Sequence, residues 1–242
     1  MKTVFLVLIL MVQIAGANMV MATYEVSYGI FENLGIAEAK FETREDNTYS
    51  IRIEARTVGV AKVLSDNRVE VYESHGIVQN GLLIPQKYIK TRRTDSKKMI
   101  KIYTFDHVKK TVVRENINSD EWEPKPHEYY ASEDILTLFF NFKHYFHDTH
   151  DRPFYAVGGN KKDGRIDVVF LKGEALEEAK KKLDKSEGKF LKVVLNDKIF
   201  SSANGELLIH LDESGLCTKA ILEDVMFFGD IVGNRIDTFG KE

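Results

Sequence analysis

One segment, Ser132 to Phe146, departs from the pattern of everything around it. Ile135, Leu138, Phe139, Phe142 and Phe146 recur at the i, i+3, i+4, i+7, i+11 spacing of a single helical face. Ser132 is placed to cap the first turn, and Glu133 and Asp134 suit the positive end of the helix dipole. The flanking sequence alternates with a period of two. Tyr24–Phe31, Ala37–Glu42 and Tyr49–Arg56 read as strands with one apolar and one charged face, separated by turns at Asn33/Gly35 and Asp46-Asn47. The expected fold is mainly β, an antiparallel meander curled as an open or half barrel around the helix at 132–146.

The rest of the chain fits that plan. Thr57–Leu64 reads as a short crossover or one helical turn. Asn67–Gln79 returns to strand, Asn80-Gly81 is a turn signal, and Pro85 favours an edge or a bulge over a regular central strand. Lys90–Lys101 reads as a basic hairpin tip, which suits simple solvation, with anionic lipid headgroups or a partner as alternatives. Asn116–Tyr130 is the main irregular connection into the helix. Glu174–Lys185 has helix-forming composition, with Glu178 and Lys182 at i, i+4, and is expected as a second, exposed helix or a long charged hairpin. Strands resume at Lys189–Ile199, Glu206–Asp212, Leu216–Val225 and Phe228–Phe239, giving roughly ten to eleven in all.

Residues 1–22 are expected to be a cleaved signal peptide. Lys2 precedes the apolar run Val4–Ile14, and small residues at Ala15 and Ala17, or alternatively Val20-Met21-Ala22, supply the cleavage signal. The apolar core is too short to span a hydrocarbon layer of about 30 Å comfortably. No Cys follows it and no twin Arg precedes it, so the reading is export by the general secretory route to the periplasm, not as a lipoprotein. Residues 23–242 are then a single β-rich domain with no transmembrane span. A net charge of −3 and a pI near 6.2 give no general drive toward nucleic acid. Cys217 is the one cysteine, so no internal disulfide forms, and it reads as a small apolar strand residue.

Two constellations are candidates for function. Ile135, Phe139, Phe142 and Phe146, with the later Phe227, are candidates to line an apolar cavity between helix and sheet; the alternative is a packed core. His144, His147, Asp148 and His150 cluster near the helix end, and imidazoles with carboxylates are transition-metal ligands, although the spacing matches no established zinc motif. No cofactor other than such a metal is expected. There is no Gly-x-Ser-x-Gly elbow, and Gly158-Gly159-Asn160-Lys161-Lys162 lacks phosphate-loop spacing, so no catalytic residue is assigned and a non-enzymatic role is expected.

In order along the chain, Tyr24-x-Val26-x-Tyr28-Gly29, Gly35-x-Ala37, Tyr49-x-Ile51, Gly81-Leu82-x-x-Pro85-x-x-Tyr88, Tyr103-x-Phe105-Asp106 and Asp134-Ile135-Leu136-x-x-Phe139 resemble the bacterial exported family known as domain of unknown function 3108. The resemblance implies a mostly β exported domain and brings no catalytic residues with it. The overall plan is also similar to the half-barrel carriers that shuttle lipoproteins across the periplasm, a likeness of fold alone. The leading functional expectation is a periplasmic binding or carrier protein for an apolar small molecule, a lipid or a lipid-modified partner. An envelope assembly or structural protein that binds a partner through sheet edges, and a metal-dependent enzyme at His144–Asp151, are the alternatives.

Overall fold

The computed structural model describes residues 18–29, 31–117, 123–145, 152–160, 162–194, 206–225 and 229–241. Among them the chain forms a first meander of β1 (Met19–Tyr28), β2 (Phe31–Thr43), β3 (Thr48–Thr57), β4 (Val69–Gln79), β5 (Leu82–Arg93), β6 (Lys98–Asp106), β7 (Thr111–Ile117) and the two-residue β8 (Lys125–Pro126). A second set follows: β9 (Glu133–Asp134), β10 (Arg152–Val157), β11 (Arg165–Phe170), β12 (Lys189–Val194), β13 (Glu206–Leu211), β14 (Cys217–Val225) and β15 (Gly229–Lys241). Helix α1 (Gly59–Leu64) joins β3 to β4, α2 (Ile135–Tyr145) follows β9, and α3 (Gly173–Leu183) joins β11 to β12.

The two sets are halves of one sheet. Its strand order is β8-β7-β6-β5-β4-β3-β2-β1-β15-β14-β13-β12-β11-β10-β9, so the last long strand returns to pair with the first. All pairs are antiparallel except β9 with β10. The end strands β8 and β9 do not pair, and the sheet is not closed. It must nevertheless curl. Helix α2 reaches Leu83 on β5 through Asn141 and Phe154 on β10 through Phe142. Ten inter-strand gaps separate β5 from β10, about 48 Å in a flat sheet at ~4.8 Å per gap, whereas a helix with its side chains is only about 10 Å across.

Two cores meet on α2. Leu138 and Phe142 pack with Phe154, Val168, Leu191 and Ile209 of the second half, while Leu136 packs with Tyr49, Ile51, Tyr88 and Phe105 of the first. Ile135 touches both. The helix is thus buried on two sides, not on the single face expected, because it fills the concavity of a sheet that wraps it. The outer face carries the charged half of the alternation, with Arg52 paired to Glu73 and Glu54, and Arg56 to Glu38.

Several expectations are corrected. The helix begins at Ile135, not Ser132, which is exposed. Its cap is Asp134: Oδ1 accepts from the backbone N–H of Leu136 (2.8 Å) and Thr137 (3.0 Å), while Thr137 Oγ1 accepts from the Asp134 N–H. This is a reciprocal capping box displaced by two residues. Helix α3 spans Gly173–Leu183 and is not free of the sheet: Ala179 and Leu183 are buried on its outer face against Phe190, Leu208 and Ile221. Two short strands and the separation of the long ones raise the strand number to fifteen. Pro85 does sit at a bulge, opposite Gly76. A Cβ on Gly76 would stand 2.0 Å from the Ile84 carbonyl oxygen, so only glycine permits that approach.

Candidate functional site

The concave face divides along its strands. On β3 the inward residues are Tyr49, Ile51, Ile53, Ala55 and Thr57 in turn, and on β4 they are Gly76, Ser74, Tyr72 and Glu70 running the same way. Tyr49, Ile51 and Ser74 lie under α2; Ala55, Thr57 and Glu70 lie toward α1.

Under α2 the polar groups are closed into networks. Tyr49 OH and Ser74 Oγ are 3.0 Å apart, and Ser74 Oγ donates to Asp134 Oδ2 at 2.6 Å. Asn141 accepts from the Leu83 N–H and donates to the Leu83 carbonyl and to Glu133 Oε1, which also accepts from Tyr145 OH. Burial pushes the Asp134 carboxyl up to about 6, against the bonds from Ser74, Thr137 and Leu136, and burial raises Glu133 too. Ser74 and Asp134 form no nucleophile–base pair with an imidazole; both are fully buried and serve to clasp the helix onto the sheet.

Beside α2 lies an apolar cleft of about 220 Å³, walled by Val20, Ala22 and Tyr24 of β1, Ala39 and Phe41 of β2, Ile53 of β3, and Phe139 and Phe140 of the helix. Leu216 and Cys217 complete it. Phe140 stacks on Phe41 at 4.9 Å, and Tyr24 OH donates to the Cys217 carbonyl across the cleft at 3.0 Å. Burial holds the Cys217 thiol up at about 12, so it behaves as an apolar wall. One inward step further along β1, β2 and β3, a second apolar trough of about 300 Å³ opens, lined chiefly by Val26, Tyr28, Leu34, Ala55 and Ile231, with Ala61 of α1 and Ser65 just after it. Its Glu70 edge is shared with a polar recess of about 240 Å³ formed by Tyr72, Lys90, Arg92, Met99 and Lys101.

Of the residues expected to line a cavity, Phe139 does so. Phe142 is 4% exposed in the second-half core, and Ile135 packs between the two cores. Phe146 and Phe227 lie outside the described residues, as do His147, Asp148 and His150. His144 is exposed on the last turn of α2, against the Gly81 turn. Among the described residues no three His, Cys, Asp or Glu side chains come together in a group able to hold a metal ion. Nor is any described helix long and apolar enough to cross a membrane. The sequence reading missed Tyr24, Phe41, Ile53, Val26 and Ala55, which reach the concave face from distant strands. Lys90 and Lys101 carried a usable signal, since they share the inward parity of Tyr88 on β5 and Tyr103 on β6; Arg114 is inward by its register with Tyr103.

A single open sheet curled on a central helix, with apolar clefts on its inner face, defines a β-barrel-like protein. The chain belongs to the DUF3108 family of proteins of unknown function, whose model matches residues 23–174. No curated protein matches the sequence. The crystal structure of a β-barrel-like protein of domain of unknown function DUF1849 from Brucella abortus is similar in fold, with a TM-score of 0.52 at 9% identity over 93% of this chain and 98% of that one. That likeness extends over β12–β15, which lie beyond the family match.

Proposed function

We propose that this protein is an exported, non-catalytic binding protein of the periplasm that holds an apolar ligand, a lipid or the acyl chain of a lipidated partner, on its concave face. The observation that carries the reading is the cleft beside α2, with its continuation one step along the same three strands. Pre-formed, mostly apolar clefts of this kind are where proteins bury small ligands. The sheet-edge alternative draws little support: the strand order ends in two-residue strands, and Pro126 on β8 has no N–H to offer a partner. Metal chemistry at His144 forms no part of this reading.

Of the two cleavage positions, the one after Ala17 fits this role. Met19–Ala22 pair with both β2 and β15, and Val20 and Ala22 wall the cleft. Cutting after Ala22 would remove part of the site. Intact-mass measurement of the exported chain is expected to show Asn18 as the first residue.

Native mass spectrometry of the mature protein from its own host tests the binding reading. A lipid-sized adduct is expected, and Ile53→Trp, which fills the cleft, is expected to lose it. Bare protein, together with no saturable uptake of an apolar fluorophore, would overturn it.

A further inference from the structure

Across β5–β7, in the rows of Ser74 and Tyr72, stands a group of polar side chains without partners among the described residues. Tyr88, Tyr103 and Arg114 are directly registered inward neighbours on β5, β6 and β7, and Lys90 is the next inward residue after Tyr88. His127 meets the Tyr103 ring edge-on at 5.2 Å. The Tyr88 hydroxyl, Arg114 Nε and both ring nitrogens of His127 are buried with no hydrogen-bond partner among the described residues, and Tyr88 is 0% exposed. Lys90 Nζ lies over the rings of Tyr72 and Tyr88, at 5.8 and 5.4 Å, with no carboxylate in ion-pair range among the described residues.

The two carboxylates whose charge reaches Lys90 are committed elsewhere. Glu70 accepts from Tyr72 OH at 2.6 Å, from Arg92 Nε at 2.8 Å and from Arg68. Asp134 caps α2 and accepts from Ser74. Burial lowers Lys90, and Lys101 beside it lowers it further; burial lowers His127, with the charges of Arg114 and Lys90 acting the same way. Native interiors seldom leave several buried polar atoms unmatched in one place, and an unfilled ion site is one reason they do.

We propose that this face binds a single-chain amphiphile with an anionic headgroup, phosphate or carboxylate, held by Lys90, Arg114, His127 and the Tyr88 hydroxyl. The chain lies in the Val26–Tyr28–Ala55–Ile231 trough beyond Glu70. This deepens, and rests on, the reading that the face takes an apolar ligand. The trough, at about 300 Å³, is at the small end of ligand sites of roughly 300–1,000 Å³, which favours one chain over two. Cationic donors without partners supply the attraction for an anion that a purely hydrocarbon ligand could not use.

Isothermal titration of the mature chain with decyl phosphate, decanol and inorganic phosphate, each below aggregation, tests this. Decyl phosphate is expected to bind at least about tenfold tighter than decanol, and inorganic phosphate far more weakly than decyl phosphate. Lys90→Met is expected to abolish that preference, and Arg114→Met to reduce it. Equal affinity for decyl phosphate and decanol overturns the anionic head and leaves the apolar-ligand reading standing. Inorganic phosphate binding as tightly as decyl phosphate overturns the amphiphile. Failure of both chain-bearing probes overturns the apolar-ligand reading itself. The wild-type preference decides the matter even where a variant fails to fold.

Discussion

The two ends of the concave face are laid on the same strands, and they treat buried polar groups in opposite ways. Under α2, Asp134, Ser74, Tyr49, Asn141 and Glu133 are buried and each finds its partners. Beside that network, across β5–β7, the Tyr88 hydroxyl, Arg114 Nε and the His127 ring nitrogens are buried and unmatched among the described residues, and toward α1 apolar strand residues line an open trough. A satisfied buried network holds structure together, because any defect leaves a desolvated group with nothing to bind. An unsatisfied one weakens the fold and is retained only where something else completes it. On the binding reading proposed above, the satisfied network serves stability, and the unmatched groups with the open trough serve recognition.

The largest effect is expected from Phe142→Ala. Removing a fully packed phenyl from the second-half core should cost about 3–5 kcal/mol. At roughly 2–4 °C per kcal/mol for a chain of this size, Tm should drop by about 10 °C. A loss under about 1 kcal/mol would mean that Phe142 lines an adaptable cavity after all, and the α2 end would no longer count as closed.

Next comes the pH dependence of Asp134. Its folded pKa is raised from 3.8 to about 6, so the folded state holds the proton more tightly than the unfolded chain. Stability is therefore fullest below the unfolded value, falls as pH climbs from 3.8 to about 6, and is level above that. Two pH units correspond to about 3 kcal/mol. Asp134 and Glu133 should raise Tm on going from about pH 7 to about pH 5, against the opposite pull of His75 and His127, whose lowered pKa values make the folded state bind fewer protons; Asp134→Asn, whose amide oxygen can still cap Leu136 and Thr137, should lose stability relative to the native chain as pH falls through that window. An unchanged slope in Asp134→Asn would show that the carboxyl is not buried as an isolated charge.

How far these ends could be read from sequence follows the same division. The period-two strands, the single apolar helix and the curled sheet are local signals, and they appear where expected. The cap went to Asp134 and not Ser132 because the Ser74 hydroxyl and the β9–β10 pairing, both distant in sequence, draw Glu133-Asp134 into the sheet. The return of β15 to β1 is also non-local, and with it the cleft that Val20 and Tyr24 share with Phe139. Helix periodicity named Phe139 and Phe142 together, yet one faces a cleft and the other a core, because the sheet wraps the helix from both sides. The inward parity of Lys90 and Lys101 was in the sequence, but only the register makes them neighbours of Arg114.

At the open end the expected effects are small and of the other sign. Lys90→Met removes a half-buried cation with no carboxylate in ion-pair range among the described residues and substitutes a side chain of similar reach. Thermal unfolding without ligand should be unchanged or raised by up to about 1 kcal/mol, since an apolar isostere avoids the cost of burying charge. A loss above about 2 kcal/mol would assign Lys90 to the structure through its contacts with Tyr72 and Tyr88, and would move the boundary of the closed end outward by one residue.

The smallest effect is expected on α1. Val60, Val63 and Leu64 are 70%, 81% and 83% exposed, and the helix buries no residue at all. Their i, i+3, i+4 spacing is that of an apolar stripe, but the stripe faces water at the rim of the trough, where Ala61 and Ser65 form part of the wall. A stripe that packs on nothing contributes little to folding. Leu64→Ser should therefore shift stability by no more than about 0.5 kcal/mol, against several kcal/mol for the same kind of change on α2. Urea titration of the two variants side by side measures the contrast directly. A loss of more than about 1 kcal/mol in Leu64→Ser would show that α1 folds down onto the trough, which would make the end assigned to recognition a second closed core.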